Sequence, residues 1–117
     1  MTPKELARAI AKVLDEKKAE DIKVIEITEL TIIADYFVIA SGTSNTHTKS
    51  LVDDVEFEIA KFGINNARIE GKATGWILMD YGSVLVHVFQ KESREYYNLE
   101  RLWSDAVAMD ISDILTD

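Results

Sequence analysis

The segment Trp76-Ile77-Leu78-Met79-Asp80-Tyr81-Gly82-Ser83-Val84-Leu85-Val86-His87-Val88 constrains the fold more than any other stretch of the chain. It alternates with period two on both sides of a glycine, the pattern of a β-hairpin with one buried face. With Tyr81-Gly82 as the two-residue turn, Asp80 pairs with Ser83, Leu78 with Leu85 and Trp76 with His87. Ile77, Met79, Val84, Val86 and Val88 then share a uniformly apolar face that needs a partner layer. Trp76, Leu78, Asp80, Leu85 and His87 share the other, where an aromatic, a carboxylate and an imidazole stand together. That mixed face needs a chemical explanation.

The flanking sequence supplies the rest of a sheet and its cover. Thr2-Pro3-Lys4-Glu5 is a helix start, with a Thr cap, proline at the first helical position and Glu three residues after the cap. The stripe Leu6, Ile10, Val13, Leu14 extends that helix over about residues 3–18. Val24 to Ile27 reads as a half-buried strand, and the nearly continuous apolar run Asp35 to Ala40 as a strand in the middle of the sheet. Ser41 to Asn45 caps a second helix carrying Leu51, Val52, Val55, Ile59 and Phe62, with Gly63 as its stop. A short strand at Arg68 to Glu70 precedes the hairpin. Helical spacing returns from Ser93 to Ala106 through Tyr96 or Tyr97, Leu99, Leu102 and Trp103. The order α-β-β-α-β-β-β-α predicts one α/β (α+β) domain over 1–117, a mixed sheet of about five strands with flanking helices. Residues 107–117, with three aspartates and no base, read as an acidic tail or a fraying helix.

Composition narrows function mainly by exclusion. The chain has no cysteine, hence no disulfide scaffold, thiolate metal site or cysteine nucleophile. Its apolar runs fall well short of a membrane span and its start lacks signal-peptide character, so a cytoplasmic protein is expected. The net charge of −8, with no Lys/Arg cluster beyond Lys17-Lys18, opposes direct nucleic-acid binding and favours a basic partner.

Each catalytic pattern tested on the residues fails. Gly42-Thr43-Ser44-Asn45-Thr46-His47-Thr48-Lys49-Ser50 joins a strand to a helix, as a phosphate loop does. It lacks the second glycine, and Lys49 stands seven residues after Gly42 instead of six. A nucleotide-binding or nucleotidyltransferase-like enzyme using Gly42 to Lys49 is the competing reading. Asp53 and Asp54 are adjacent on a helix and diverge by about 100°, which prevents joint chelation of a cation. His47 and His87 have no metal-ligand spacing between them, and there is no Gly-x-Ser-x-Gly elbow. No enzyme activity, metal or cofactor is expected.

Four pieces, in order and at matching separations, carry a resemblance. They are Asp35-Tyr36-Phe37-Val38-Ile39-Ala40-Ser41-Gly42-Thr43-Ser44, Glu70-Gly71, Trp76-x-x-x-Asp80-x-Gly82-x-x-x-x-His87 and Tyr97-x-Leu99-Glu100-x-Leu102-Trp103. Together they resemble the ribosomal silencing factor, or Iojap, family over about residues 5–106. The resemblance implies a fold related to nucleotidyltransferases without their catalytic carboxylates. It also implies a translation repressor that docks on large-subunit ribosomal protein fourteen and blocks joining of the small subunit when nutrients are short. On this reading the contact surface is the mixed face of the hairpin and its approach loop: Lys72, Trp76, Leu78 and Asp80, with Tyr81 included for its place at the turn and His87 in support. The hairpin edge and the Tyr96 to Trp103 helix are also compatible with a homodimer.

Overall fold

The computed structural model describes residues 1–71 and 75–116. Helix α1 (Pro3–Glu16) begins with a complete capping box: the Glu5 amide donates to Thr2 Oγ1 at 3.1 Å and the Thr2 amide to Glu5 Oε1 at 2.8 Å. There follow β1 (Glu20–Glu26), β2 (Tyr36–Gly42), α2 (Asn45–Ala60), β3 (Arg68–Glu70), β4 (Trp76–Asp80) and β5 (Val84–Gln90). Two short helices, α3 (Lys91–Tyr97) and α4 (Leu99–Leu102), and a two-residue strand β6 (Val107–Ala108) complete the chain. The strands form one mixed sheet in the order β3-β4-β5-β2-β1-β6, with β2 and β5 parallel and the other neighbours antiparallel. β2 lies inside the sheet and all seven of its residues are buried, as its continuous apolar run predicts.

The sheet separates two cores. On one face Val38, Ile77, Met79, Val84, Val86 and Val88 pack with Leu6, Ile10 and Leu14 of α1 and Leu51, Val55 and Ile59 of α2. On the other Ile25, Phe37, Ile39 and Phe89 pack with Leu99, and half-buried Trp76, Leu85 and Trp103 close around them. The apolar row expected on the hairpin is therefore the floor under α1 and α2, and the mixed row belongs to the second, smaller core.

Four expectations need correction. The Tyr81 amide donates to the Val84 carbonyl at 3.0 Å, so the turn is Gly82-Ser83, with Gly82 at φ +87°, a conformation costly for a side chain. Asp80 consequently faces Leu85, Leu78 faces His87 and Trp76 faces Phe89. Sliding the turn by one residue changes every partner by two, which preserves the faces while altering the pairs. Second, the sheet has six strands: β6 pairs with β1 through Ile25–Ala108 and Glu26–Val107. Third, the helix expected over 93–106 is broken at Asn98, whose left-handed backbone (φ +46°) ends α3 and turns Tyr96 and Leu102 to solvent. Phe62 is likewise exposed, beyond the end of α2.

Fourth, residues 107–116 form neither helix nor loose tail. The Met109 amide donates to the Val24 carbonyl at 2.8 Å, Ile111 enters the larger core, and Arg8 binds the Asp110 carbonyl and the Asp113 carboxylate. The Thr116 hydroxyl donates to Asp15 Oδ2 at 2.9 Å. Buried Ile111, half-buried Met109 and Ile114, and polar contacts to α1 seat this segment against the domain.

Candidate partner-binding face

Trp76 and His87 are joined diagonally across β4 and β5, with indole Nε1–H donating to His87 Nδ1 at 3.2 Å. An indole nitrogen only donates, so Nδ1 accepts, which assigns the imidazole proton to Nε2. His87 is 4% exposed, and its Nε2 has no hydrogen-bond partner among the described residues. Phe37 meets the ring edge-on at a centroid distance of 4.6 Å, and Phe89 stacks at 6.4 Å. Burial pushes the His87 pKa down to about 4, because the cation loses hydration that this aromatic setting does not replace. At neutral pH His87 is an uncharged core residue that orients Trp76. Trp76 itself is half-buried, stacked on Phe89 at 5.1 Å and tilted against Tyr97 at 4.7 Å.

The remaining predicted contact residues divide by strand parity. Leu78 and Asp80 continue the Trp76 row and are half-buried, so a partial surface runs along β4. Asp80 also has a local task, since its Oδ1 accepts the Gly82 amide at 2.7 Å and braces the turn. Tyr81 has the opposite parity and points into the α1/α2 core, where it is only 4% exposed. Its hydroxyl has no hydrogen-bond partner among the described residues, and its pKa rises to about 12, chiefly through burial and secondarily through Glu56. Tyr81 and His87 thus lie below the surface. Lys72 lies outside the described residues. The members of this set that reach the surface in part are Trp76, Leu78 and Asp80.

The loop at the start of α2 is closed on itself. Thr43 N–H donates to His47 Nδ1 at 2.9 Å, His47 N–H to Ser44 Oγ at 3.0 Å and Thr48 N–H to the Ser44 carbonyl at 2.9 Å. Because Nδ1 accepts, His47 Nε2 donates to the Lys17 carbonyl at 3.0 Å, tying the loop to the end of α1. Gly42 is required by proximity: a Cβ there would lie 2.5 Å from Thr48 Oγ1 and 2.9 Å from its amide nitrogen. The Thr43, His47 and Thr48 amides, which an anion in this loop would need as donors, are thus engaged within the chain. Among the described residues no group of three or more His, Cys, Asp or Glu is placed to hold a metal ion. No helix among them is long and apolar enough to cross a membrane.

A polar network that sequence reasoning missed holds α3 and α4 to the sheet. Buried Arg94 donates to Ser41 Oγ at 2.9 Å and to Glu100 at 3.3 and 3.4 Å, and Lys23 reaches the same carboxylate at 3.3 Å. Burial alone would raise the Glu100 pKa, but hydrogen bonds and charge from Arg94 and Lys23 reverse the direction and lower it. An arginine in a helical segment and a serine in an apolar strand, over fifty positions apart, give no local signal of pairing. A second missed feature is the tip between β1 and β2, where Leu30, Ile32 and Ile33 are exposed.

Comparison with known proteins places this architecture. The family model described as "Ribosomal silencing factor during starvation" matches residues 1–117. The ribosomal silencing factor of Bacillus subtilis is 37% identical over 112 residues, covering 95% of each chain. A mouse protein named "Mitochondrial assembly of ribosomal large subunit protein 1" is 35% identical over 99 residues, covering 81% of this chain and 43% of the mouse protein. A crystal structure of a Chromobacterium violaceum protein superposes with a TM-score of 0.85 at 30% identity, covering 89% of this chain and 88% of that one. The four sequence pieces, the mixed six-stranded sheet and a match spanning every residue agree: this chain belongs to the ribosomal silencing factor family.

Proposed function

We propose that this chain is a cytoplasmic translation repressor that binds the large ribosomal subunit through ribosomal protein fourteen and sterically prevents the small subunit from joining when nutrients are limiting. The observation that carries the reading is the family match across residues 1–117. The row Trp76, Leu78 and Asp80 supports it, because a partly buried tryptophan flanked by an aliphatic and a carboxylate has the composition of an interface anchor. Lys72 is the remaining proposed contact. His87 and Phe89 hold the indole from beneath, which lowers the entropy lost when Trp76 is covered. The net charge of −8 suits a basic ribosomal protein and disfavours misplaced binding to RNA phosphates. Occlusion needs no bond making, so the chain acts without catalysis or cofactor.

Light scattering of purified subunits in magnesium tests the proposal. Wild-type chain lowers the amplitude of subunit joining. Trp76→Ala weakens that inhibition by about tenfold or more, the loss of one interface anchor. Asp80→Asn retains an acceptor for the Gly82 amide while removing the charge, and weakens inhibition most at low salt. Joining unaffected by wild-type chain refutes the proposal, and full inhibition by both variants removes β4 from the interface.

A further inference from the structure

The turn connecting β1 to β2 presents aliphatic side chains that the domain core does not use. Ile32 is fully exposed, Ile33 is 59% and Leu30 45% exposed. Single exposed aliphatics are ordinary, but here three occupy one tip, and the backbone holds it in shape. The Leu30 and Thr31 amides donate to the Ile27 carbonyl at 2.9 and 3.1 Å, the Ile33 amide donates to Thr31 Oγ1 at 3.3 Å, and the Ile27 amide donates to the Asp35 carbonyl at 2.9 Å. The tip is also fastened to the hairpin, because the Asp35 and Tyr36 amides both donate to the Ser83 carbonyl, at 2.8 and 3.2 Å.

Between the tip and the hairpin turn lies an open cleft of about 380 Å³, lined by Thr28, Ile32, Ile33, Asp35, Gly82 and Ser83. The charged residue that lines it is Asp35. Residues 24–48 contain Glu26, Glu29 and Asp35 and no lysine or arginine. None of these three carboxylates forms an ion pair among the described residues, whereas Glu58, Glu100 and Asp113 do. Glu26 accepts the Tyr36 hydroxyl at 3.0 Å, and among the described residues the Asp35 carboxylate receives a single long bond, from Thr28 Oγ1 at 3.4 Å.

We infer that the Leu30 to Ile33 tip and its cleft form a second docking element, which takes a lysine or arginine side chain from a basic partner protein. The aliphatic stem of that side chain lies along Ile32 and Ile33 and its cationic head reaches Asp35, the division by which long basic side chains cover apolar surface. The three carboxylates repel RNA phosphates and anionic membranes alike, so the occupant is a protein. The inference rests on the ribosomal reading for the identity of its partner, and it extends the contact from Asp80 across the hairpin turn.

Titration of fluorescently labelled chain with purified large subunits tests it. The double substitution Ile32→Ser with Ile33→Ser weakens binding at least tenfold without changing the thermal melt, because neither side chain packs in a core. Asp35→Asn weakens it several-fold and flattens the salt dependence. If the double variant melts lower, Glu29→Lys at an exposed site with no hydrogen bond among the described residues serves instead, again with weaker binding expected. Wild-type affinity in these variants, alongside normal binding by the parent chain, overturns the inference and leaves the ribosomal reading standing. Failure of the parent chain itself refutes that reading and removes the named partner. Variants that change the mass measured by size-exclusion light scattering while keeping subunit affinity assign the tip to a second copy of the chain, which also overturns it.

Discussion

Replacing His87 with phenylalanine removes a titration that the fold opposes, and the consequence can be calculated. In the unfolded chain this imidazole titrates near 6.5; in the folded domain, burial holds it near 4. Between those values the unfolded state binds the extra proton, so folding stability is fully present above pH 6.5 and is lost as pH falls toward 4. The depression corresponds to about 3 kcal/mol lost by pH 4, a large share of the 5–15 kcal/mol that typically stabilises a domain. Protonation also opposes the Trp76 contact directly, since Nδ1 then carries a proton where it must accept one.

The assay is urea unfolding, followed by tryptophan fluorescence and circular dichroism from pH 7.5 to pH 4. His87→Phe keeps a ring of similar size but leaves the Trp76 indole without its acceptor. That loss costs about 1 kcal/mol at every pH. Carboxylate protonation acts on both proteins, so the difference between their pH slopes isolates the imidazole. Wild type loses about 3 kcal/mol more than the variant by pH 4, equivalent to roughly 10 °C in melting temperature. Parallel stability curves for the two proteins would show that His87 is hydrated, and the aromatic packing around it would need redrawing.

Two further substitutions probe the interior. Tyr81→Phe removes a buried hydroxyl that has no hydrogen-bond partner among the described residues, so the melt stays level or rises by an amount worth about 1 kcal/mol; a fall of that size would reveal a partner for the hydroxyl. Gly42→Ala drives a methyl into the Thr48 side chain and backbone, lowering stability by about 1–3 kcal/mol in thermal unfolding, and an unchanged melt would contradict the close approach of β2 and α2.

The legible parts of this fold are those determined by neighbours in sequence. Thr2, Pro3 and Glu5 announce α1 because capping involves only the first turn, and the parity of Ile77, Met79, Val84, Val86 and Val88 marks the helix-covered face whichever turn is used. The exact pairing across the hairpin was not legible: Tyr81-Gly82 and Gly82-Ser83 are both acceptable turns by composition. The observed choice places Tyr81 within the α1/α2 core, a long-range preference. The break at Asn98 has no local signal, because helical spacing continues through it, while the left-handed residue lets Leu99 reach the smaller core. β6 contributes only two residues, too few to display a period.

For the candidate face, residue types suggested a cluster but could not give depth. Trp76 and His87 do associate, yet the imidazole lies under Phe37 and Phe89 from other parts of the sheet, which converts a candidate contact into a support. The acidic, aliphatic tip was hidden for the opposite reason. Leu30, Ile32 and Ile33 resemble core residues by composition, and only the fold shows that no element covers them.

Sedimentation through a sucrose gradient of the chain mixed with separated ribosomal subunits decides whether it is a large-subunit silencer. The chain is expected to travel with the large subunit, to be absent from the small-subunit fraction, and to reduce the joined particle when both subunits are present. A chain that remains at the top of the gradient, or that travels with joined ribosomes without reducing them, would contradict that role.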